Sequence, residues 1–208
     1  MLVKTHIRRL LTYRLCLLRF KELGFKKVYS YNLGQEAGVS AEQVRKDFSQ
    51  CGFSGKKKAG YDIESLLINL NDKFKLDEVR NIILVGMGNM GKALTHYNDH
   101  YIGTNVFIVA AFDIDPAKQN RKTGLPVLSM DKLTEIIQGF RVTTAIITTP
   151  AISAQNVCNQ LIANGIHGIL NFAPVTLKVP DNVYVSNINL SCEIEAIIYH
   201  LNEIEGFR

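Results

Sequence analysis

No run of the 208-residue chain stays apolar for the roughly 18 residues that a membrane-spanning helix requires. The first residues carry Lys4, His6, Arg8 and Arg9 ahead of only a short apolar stretch and offer no small-residue cleavage site, so no secretory leader is expected. Cysteine is scarce and scattered. Cys16, Cys51, Cys158 and Cys192 form no C-x-x-C pair and no Cys/His ligand spacing, which argues against a zinc site and a disulfide framework and for reduced thiols in a cytoplasmic protein. The histidines His6, His96, His100, His167 and His200 stand in no motif that would make one a proton-transfer group. Acid is lacking where base is concentrated: residues 1–75 hold fifteen Lys/Arg against seven Asp/Glu, net +8, whereas residues 76–208 are net −3. This asymmetry predicts two parts, the first of which meets a polyanion or else simply presents a solvated basic surface.

Within the second part, Ile82-Ile83-Leu84-Val85 runs into Gly86-Met87-Gly88-Asn89-Met90-Gly91 and reopens as Lys92-Ala93-Leu94. This is the strand, glycine turn and helix of a dinucleotide site. Gly86 makes the tight turn, Gly88 lets the backbone approach a pyrophosphate, and Gly91 lets the helix pack closely on the sheet. The phosphates would sit at the helix N-terminus, where unpaired N–H groups favour negative charge. Asp113 closes the next apolar run, where a ribose-binding acid belongs, although the same residue could simply cap a turn. No arginine follows it at once, which predicts NAD rather than NADP. Strands are expected at 81–85, 106–112, 126–128, 143–148, 166–171 and 183–187. Helices are expected after the glycine turn, over 131–138 and over 151–164, an alternation that reads as a doubly wound parallel sheet of the Rossmann type. Ligands of such sheets bind beyond the carboxyl ends of the strands, so Thr148, Thr149, Pro150, Asn171 and Phe172 join Met87, Asn89 and Met90 as candidate cofactor contacts. Tyr97, near the end of the first helix, could turn towards a nicotinamide, but on pattern alone it reads as core.

The first third reads as a winged helix. A helix from about Ile7 to Leu23 stops at Gly24. A second runs from Tyr31 to Ala37, and Gly38-Val39 turns into Ser40-Ala41-Glu42-Gln43, a capping box that starts a third over Ala41–Gln50. There Val44 and Phe48 share one face, while Gln43, Arg45, Lys46 and Ser49 occupy the other. That second face suits a DNA major groove, or is merely the solvated side of an amphipathic helix. Glycines bracket Lys56, Lys57 and Lys58 as the tip of a phosphate-neutralising wing. A further helix carries Ile63, Leu66, Leu67 and Leu70, and Asn71 to Glu78 reads as a linker. The expected division is a winged-helix domain at 1–75, a nucleotide domain at 79–190 and a terminal helix at 191–208. The last bears an apolar stripe, Ile194, Ile197, Ile198, Leu201 and Ile204, fit for its own domain or a partner chain.

Four stretches, Gln43–Ser49, Gly86–Gly91, Ala111–Asp115 and Gly168–Pro174, together resemble the Rex family of redox-sensing transcriptional repressors over nearly the whole chain. The resemblance implies a homodimer that binds an inverted-repeat operator in double-stranded DNA through two winged helices and releases it when NADH replaces NAD. It also implies a terminal helix exchanged between subunits, and a place for Tyr97 near the nicotinamide. The family's Arg and Asp, which pair in one dimer arrangement, stand here as Leu15 and Asn189. In the wing, Cys51 replaces an aromatic residue and Lys58 a glycine. Two rival readings remain: an NAD-dependent dehydrogenase with an N-terminal appendage, and, because the nucleotide domain also resembles CoA-binding modules, a regulator that takes a CoA-type ligand.

Overall fold

The computed structural model describes residues 4–53, 60–97, 105–119 and 124–203. The chain divides into two compact units, Met1–Glu78 and Val79–Arg208.

In the first unit, helix α1 spans Lys4–Glu22, followed by strand β1 (Lys27–Val28), helices α2 (Ser30–Ala37) and α3 (Ala41–Gln50), strand β2 (Tyr61–Asp62) and helix α4 (Ile63–Phe74). The expected tight turn is there: Gly38 adopts φ +68° at the end of α2, and the Ser40 side chain accepts the Gln43 N–H to open α3. Gly34 lets α2 approach this turn, since a Cβ there would lie 2.6 Å from the Val39 carbonyl oxygen. Leu10, Tyr13, Leu17, Leu33, Val44, Phe48 and Leu70 are fully buried in one core. Strands β1 and β2 pair antiparallel at the base of the wing. One boundary differs from the sequence reading. Helix α4 continues through Asn71 to Phe74, because Phe74 packs on the core and Asn71 Oδ1 accepts Arg14 Nε at 2.7 Å.

The second unit contains strands β3 (Arg80–Val85), β4 (Val106–Phe112), β5 (Val127–Leu128), β6 (Thr144–Ile147), β7 (Gly168–Asn171) and β8 (Tyr184–Asn187). Helices α5 (Asn89–Tyr97), α6 (Leu133–Phe140) and α7 (Ala151–Ala163) connect them, and α8 (Leu190–Glu203) ends the described chain. The sheet is wholly parallel in the order β5-β4-β3-β6-β7-β8. Its two faces alternate along β3 as pleating dictates: Ile83 and Val85 join the core under α6 and α7, whereas Ile82 and Leu84 join a second core with Leu94 of α5. Chain order departs in opposite directions from β3, towards β4 on one side and β6 on the other. The gap beyond the carboxyl ends of β3 and β6 is therefore the switch point at which such sheets hold ligands. Helix α8 is exposed over its whole described length in the single chain, with Ile194, Ile197, Ile198 and Leu201 uncovered. Asn189 opens it, its side chain accepting the Cys192 N–H at 3.2 Å, so this residue has a capping role that an aspartate would fill equally well. No helix among the described residues is long and apolar enough to cross a membrane.

Candidate nucleotide cleft and DNA-reading helix

A cleft of about 570 Å³ opens at the switch point, lined by Gly86, Gly88, Asp113, Thr148, Thr149, Pro150 and Phe172 among others. The glycine turn that floors it is held from both sides. Gly86 has φ +106°, and a Cβ there would sit 2.9 Å from the Thr148 carbonyl oxygen. The Thr148 hydroxyl donates to the Gly86 carbonyl at 2.6 Å. A Cβ on Gly91 would overlap the Gly86 carbonyl oxygen, so the close packing of helix on strand expected from the sequence is present. At Gly88 a Cβ would meet no atom of the described residues within 4 Å. Packing within the chain therefore gives no reason for glycine at 88, whereas the approach of a bulky anion does.

Asp113 lies just beyond β4, 7% exposed, where it lines the cleft and secures the turn. Its carboxylate accepts the Met87 N–H at 2.7 Å and the Asp115 N–H at 2.9 Å, and Lys118 Nζ lies 3.2 Å away. Burial alone would push this carboxyl up, but those two amides and the lysine outweigh it and hold it below the ordinary carboxylate range. Lys118, which also lines the cleft, was not apparent from the sequence, because it returns to Asp113 only through the 3-10 turn Pro116–Lys118. Thr149 contributes a buried hydroxyl with no partner among the described residues, at the wall of the cleft. An acid beyond the end of β4, an unsatisfied hydroxyl and a glycine with open space above it suit a dinucleotide. NAD(H) held there would be gripped by Asp113, Thr149 and the amides of the turn, and would bring a nicotinamide whose redox form differs between its two states.

Not every expected contact reaches the cleft. Met87 presents only its backbone N–H to Asp113, while its side chain is buried in the core on the α5 side of the sheet. Asn89, Met90 and Gly91 form the first turn of α5 and are not among the lining residues. Asn171 is fully buried. Its amide donates to the Val175 carbonyl at 2.8 Å and Asn187 Oδ1 at 2.9 Å, and its oxygen accepts the Ala173 N–H at 3.0 Å. It shapes the loop that presents Phe172 and Pro174 and does not face the ligand space. Asn171→Ala is expected to lower stability by about 2–3 kcal/mol in urea denaturation, since it strands buried loop groups without partners. The side chain of Tyr97 lies outside the described residues.

On the first unit, Arg45, Lys46 and Ser49 stand exposed on one side of α3, opposite Val44 and Phe48. Arg45 is steadied by a 3.1 Å hydrogen bond from Nη1 to the Ser30 hydroxyl at the start of α2. Gln43 departs from expectation: its amide donates to Asp47 Oδ1 at 2.8 Å, which turns the side chain inward. Asp47 itself is fully buried and was missed as a structural centre. Arg9 donates to both its oxygens, at 2.7 and 2.8 Å, and the Tyr13 hydroxyl donates at 2.8 Å. His6 Nε2 lies 3.6 Å away. Burial alone would push the Asp47 carboxyl up, but Arg9, Tyr13 and Gln43 prevail and hold it below its ordinary range. The node ties α3 rigidly to α1. Lys56, Lys57 and Lys58 lie outside the described residues.

Comparison with known proteins agrees with both halves of this arrangement. Residues 4–49 match a family described as "Putative DNA-binding protein N-terminus", and residues 77–175 match the "CoA binding domain" family. A protein named "Redox-sensing transcriptional repressor Rex" from Syntrophobacter fumaroxidans is 37% identical, the match covering 94% of this chain and 94% of the relative. Another of that name from Shouchella clausii is 42% identical over 86% of this chain and 84% of its own length. Among solved structures, a Rex-family repressor called RSP in complex with NAD+ and operator DNA superposes with a TM-score of 0.90 at 32% identity, covering all of this chain and 95% of that one. RSP with NADH gives 0.86 at 31% identity, covering all of this chain and 97% of that one. With relatives this similar along nearly its whole length, the chain belongs to the Rex family of redox-sensing transcriptional repressors, a family of regulators and not of dehydrogenases.

Proposed function

We propose that this chain is a cytoplasmic, homodimeric repressor that binds an inverted-repeat operator through Arg45, Lys46 and Ser49 of α3 and the Lys56–Lys58 wing. In this reading NADH, bound in the cleft around Gly86, Gly88, Asp113, Thr148, Thr149, Pro150 and Phe172, releases the DNA. The observation that carries it is the pairing in one chain of a dinucleotide-shaped cleft with an exposed basic helix, both in a sequence shared over its length with named redox sensors. The exposed apolar stripe of α8 supports exchange of residues 191–208 with a second copy, because a surface of that kind on a free monomer would otherwise face water. The domains would then be 1–75 for DNA, 79–190 for the nucleotide and the terminal helix for the dimer.

The residues do no chemistry on the ligand. Asp113 and the turn amides hold and orient it, and Thr148 fixes the turn that does so. Signalling follows if NADH and NAD favour different arrangements of the dimer, since a ligand shifts an equilibrium only by its difference in affinity for the two states. The test is a DNA-binding titration over a series of NADH/NAD ratios, with a duplex selected from a random pool by the protein itself. Affinity is expected to fall as NADH rises and to weaken steeply with salt, and Arg45→Ala is expected to lower it by at least tenfold, the loss of about 1.4 kcal/mol. DNA affinity indifferent to NADH would remove the switch while leaving the DNA-binding role intact.

A further inference from the structure

A second surface of the winged-helix unit has chemistry that the reading of α3 does not use. Tyr29 and Tyr31 flank Ser30 at the start of α2, and their rings are stacked, 5.8 Å apart and inclined by 20°. They are 42% and 60% exposed, and Phe25 beside them is 55% exposed. The pair forms one wall of a recess of about 290 Å³ whose other lining includes Phe20, Phe25, Lys27 and Asn32. Phe20 and Phe25 meet edge to face at 5.9 Å, so aromatic rings stand on both sides of the recess. Four large rings gathered at a surface mark a contact site more often than a chance exposure.

We propose that this recess seats a phosphodiester of the DNA backbone, next to the stretch that α3 reads. Its polar groups are the Lys27 ammonium, two phenol hydroxyls and the Asn32 amide, all able to donate, and no carboxylate lines it. Lys27 stands opposite Asp62 across the β1–β2 pair, outside the lining, so its ammonium is partly balanced from behind, while the donors that face the recess suit a phosphate, which only accepts, and the ring walls suit the apolar face of a deoxyribose. The recess also adjoins the DNA-reading helix, because Ser30, between the two tyrosines, holds Arg45. The site is preorganised as well. A Cβ on Gly60 would lie 3.3 Å from the Tyr29 ring and 2.8 Å from the Val28 carbonyl oxygen, so the backbone entering β2 packs closely against Tyr29. Little side-chain freedom remains to be lost on binding. A contact of this kind positions the protein on the duplex and carries no base sequence.

The inference rests on the DNA-binding reading of α3, and the experiment separates the two. Tyr31→Phe retains the ring and removes one donor, while Lys27→Gln removes one charge. Each is expected to weaken binding about three- to tenfold, to the same extent on the selected duplex and on a scrambled one of equal length. Lys27→Gln should also reduce the slope of log K against log salt by about one. Phosphate-ethylation interference on the wild type should show one position per half-site that ceases to interfere in Tyr31→Phe. Melting temperature and NADH affinity should not move. Undiminished affinity in both variants, or a loss confined to the selected duplex, overturns the recess as a phosphate seat while the role of α3 stands. A wild-type protein that retains no duplex overturns both.

Discussion

Gly91→Ala is expected to destabilise the nucleotide unit by about 3 kcal/mol and to abolish NADH binding. The new methyl would collide with the Gly86 carbonyl, a backbone atom, and Gly86 has no room to retreat because Thr148 stands behind it, just beyond the end of the neighbouring strand β6. Overpacking against backbone cannot be relieved by a rotamer change. Gly88→Ala provides the contrast. Its methyl meets nothing in the folded chain, so stability should stay within about 0.5 kcal/mol of wild type, yet the same methyl occupies the approach of the pyrophosphate and should weaken NADH at least tenfold. Urea denaturation followed by circular dichroism and an NADH fluorescence titration read the two quantities separately. Normal NADH affinity in Gly88→Ala would show that the dinucleotide does not cross the turn there.

Asp47→Ala is expected to have its effect on the other unit. Removing the carboxylate leaves the Arg9 guanidinium and the buried Tyr13 hydroxyl without their acceptor, a loss of about 3–5 kcal/mol. A domain of this size is stable by roughly 4–12 kcal/mol, so the variant should lose DNA binding through partial unfolding while NADH binding persists. The same node sets the pH limits of the unit. The Asp47 carboxyl is depressed on folding, so its contribution is present above the ordinary carboxylate pKa of 3.8 and disappears as pH falls through the lower folded value. Burial, reinforced by Asp47, raises the Tyr13 phenol above its ordinary 10.0, so its contribution is present below that pH and disappears as pH climbs through the higher folded value. Thermal melts across pH should therefore be flat in the middle and fall at both ends, with the acid limb shallower in Asp47→Ala and the remainder carried by depressed carboxyls such as Asp113.

The parts of this molecule that follow local rules were legible in its residues. The Gly38 turn, the Ser40 cap and the parallel strands announce themselves because each depends on a few adjacent side chains. The Gly86–Gly91 turn was equally plain, since its glycine spacing is local in sequence, and the close approach of Gly91 to the Gly86 carbonyl lies within the motif itself. Asp47 was not. It shares the inward face of α3 with Val44 and Phe48, but its partner Arg9 is 38 residues away, and no periodicity connects them. Gln43 was misread for the same reason, since an i to i+4 hydrogen bond turns it towards that distant pair. Lys118 and the buried amide of Asn171 likewise depend on how loops fold back after a strand, which alternation of apolar residues does not encode.

The Asp47 node also bears on how an operator can be discriminated. Arg9 and Tyr13 fasten α3, the proposed DNA-reading helix, to α1 through three short hydrogen bonds to Asp47, which also accepts one from Gln43 within α3, so the helix is fixed in its own unit. If the chain dimerises and reads DNA as proposed, a head fixed in this way leaves its separation from its twin as the adjustable quantity. The spacer between half-sites, which neither head touches, then becomes the element that decides how strongly a given promoter responds to the redox state of the cell, and genes with identical half-sites can be graded by spacer length alone.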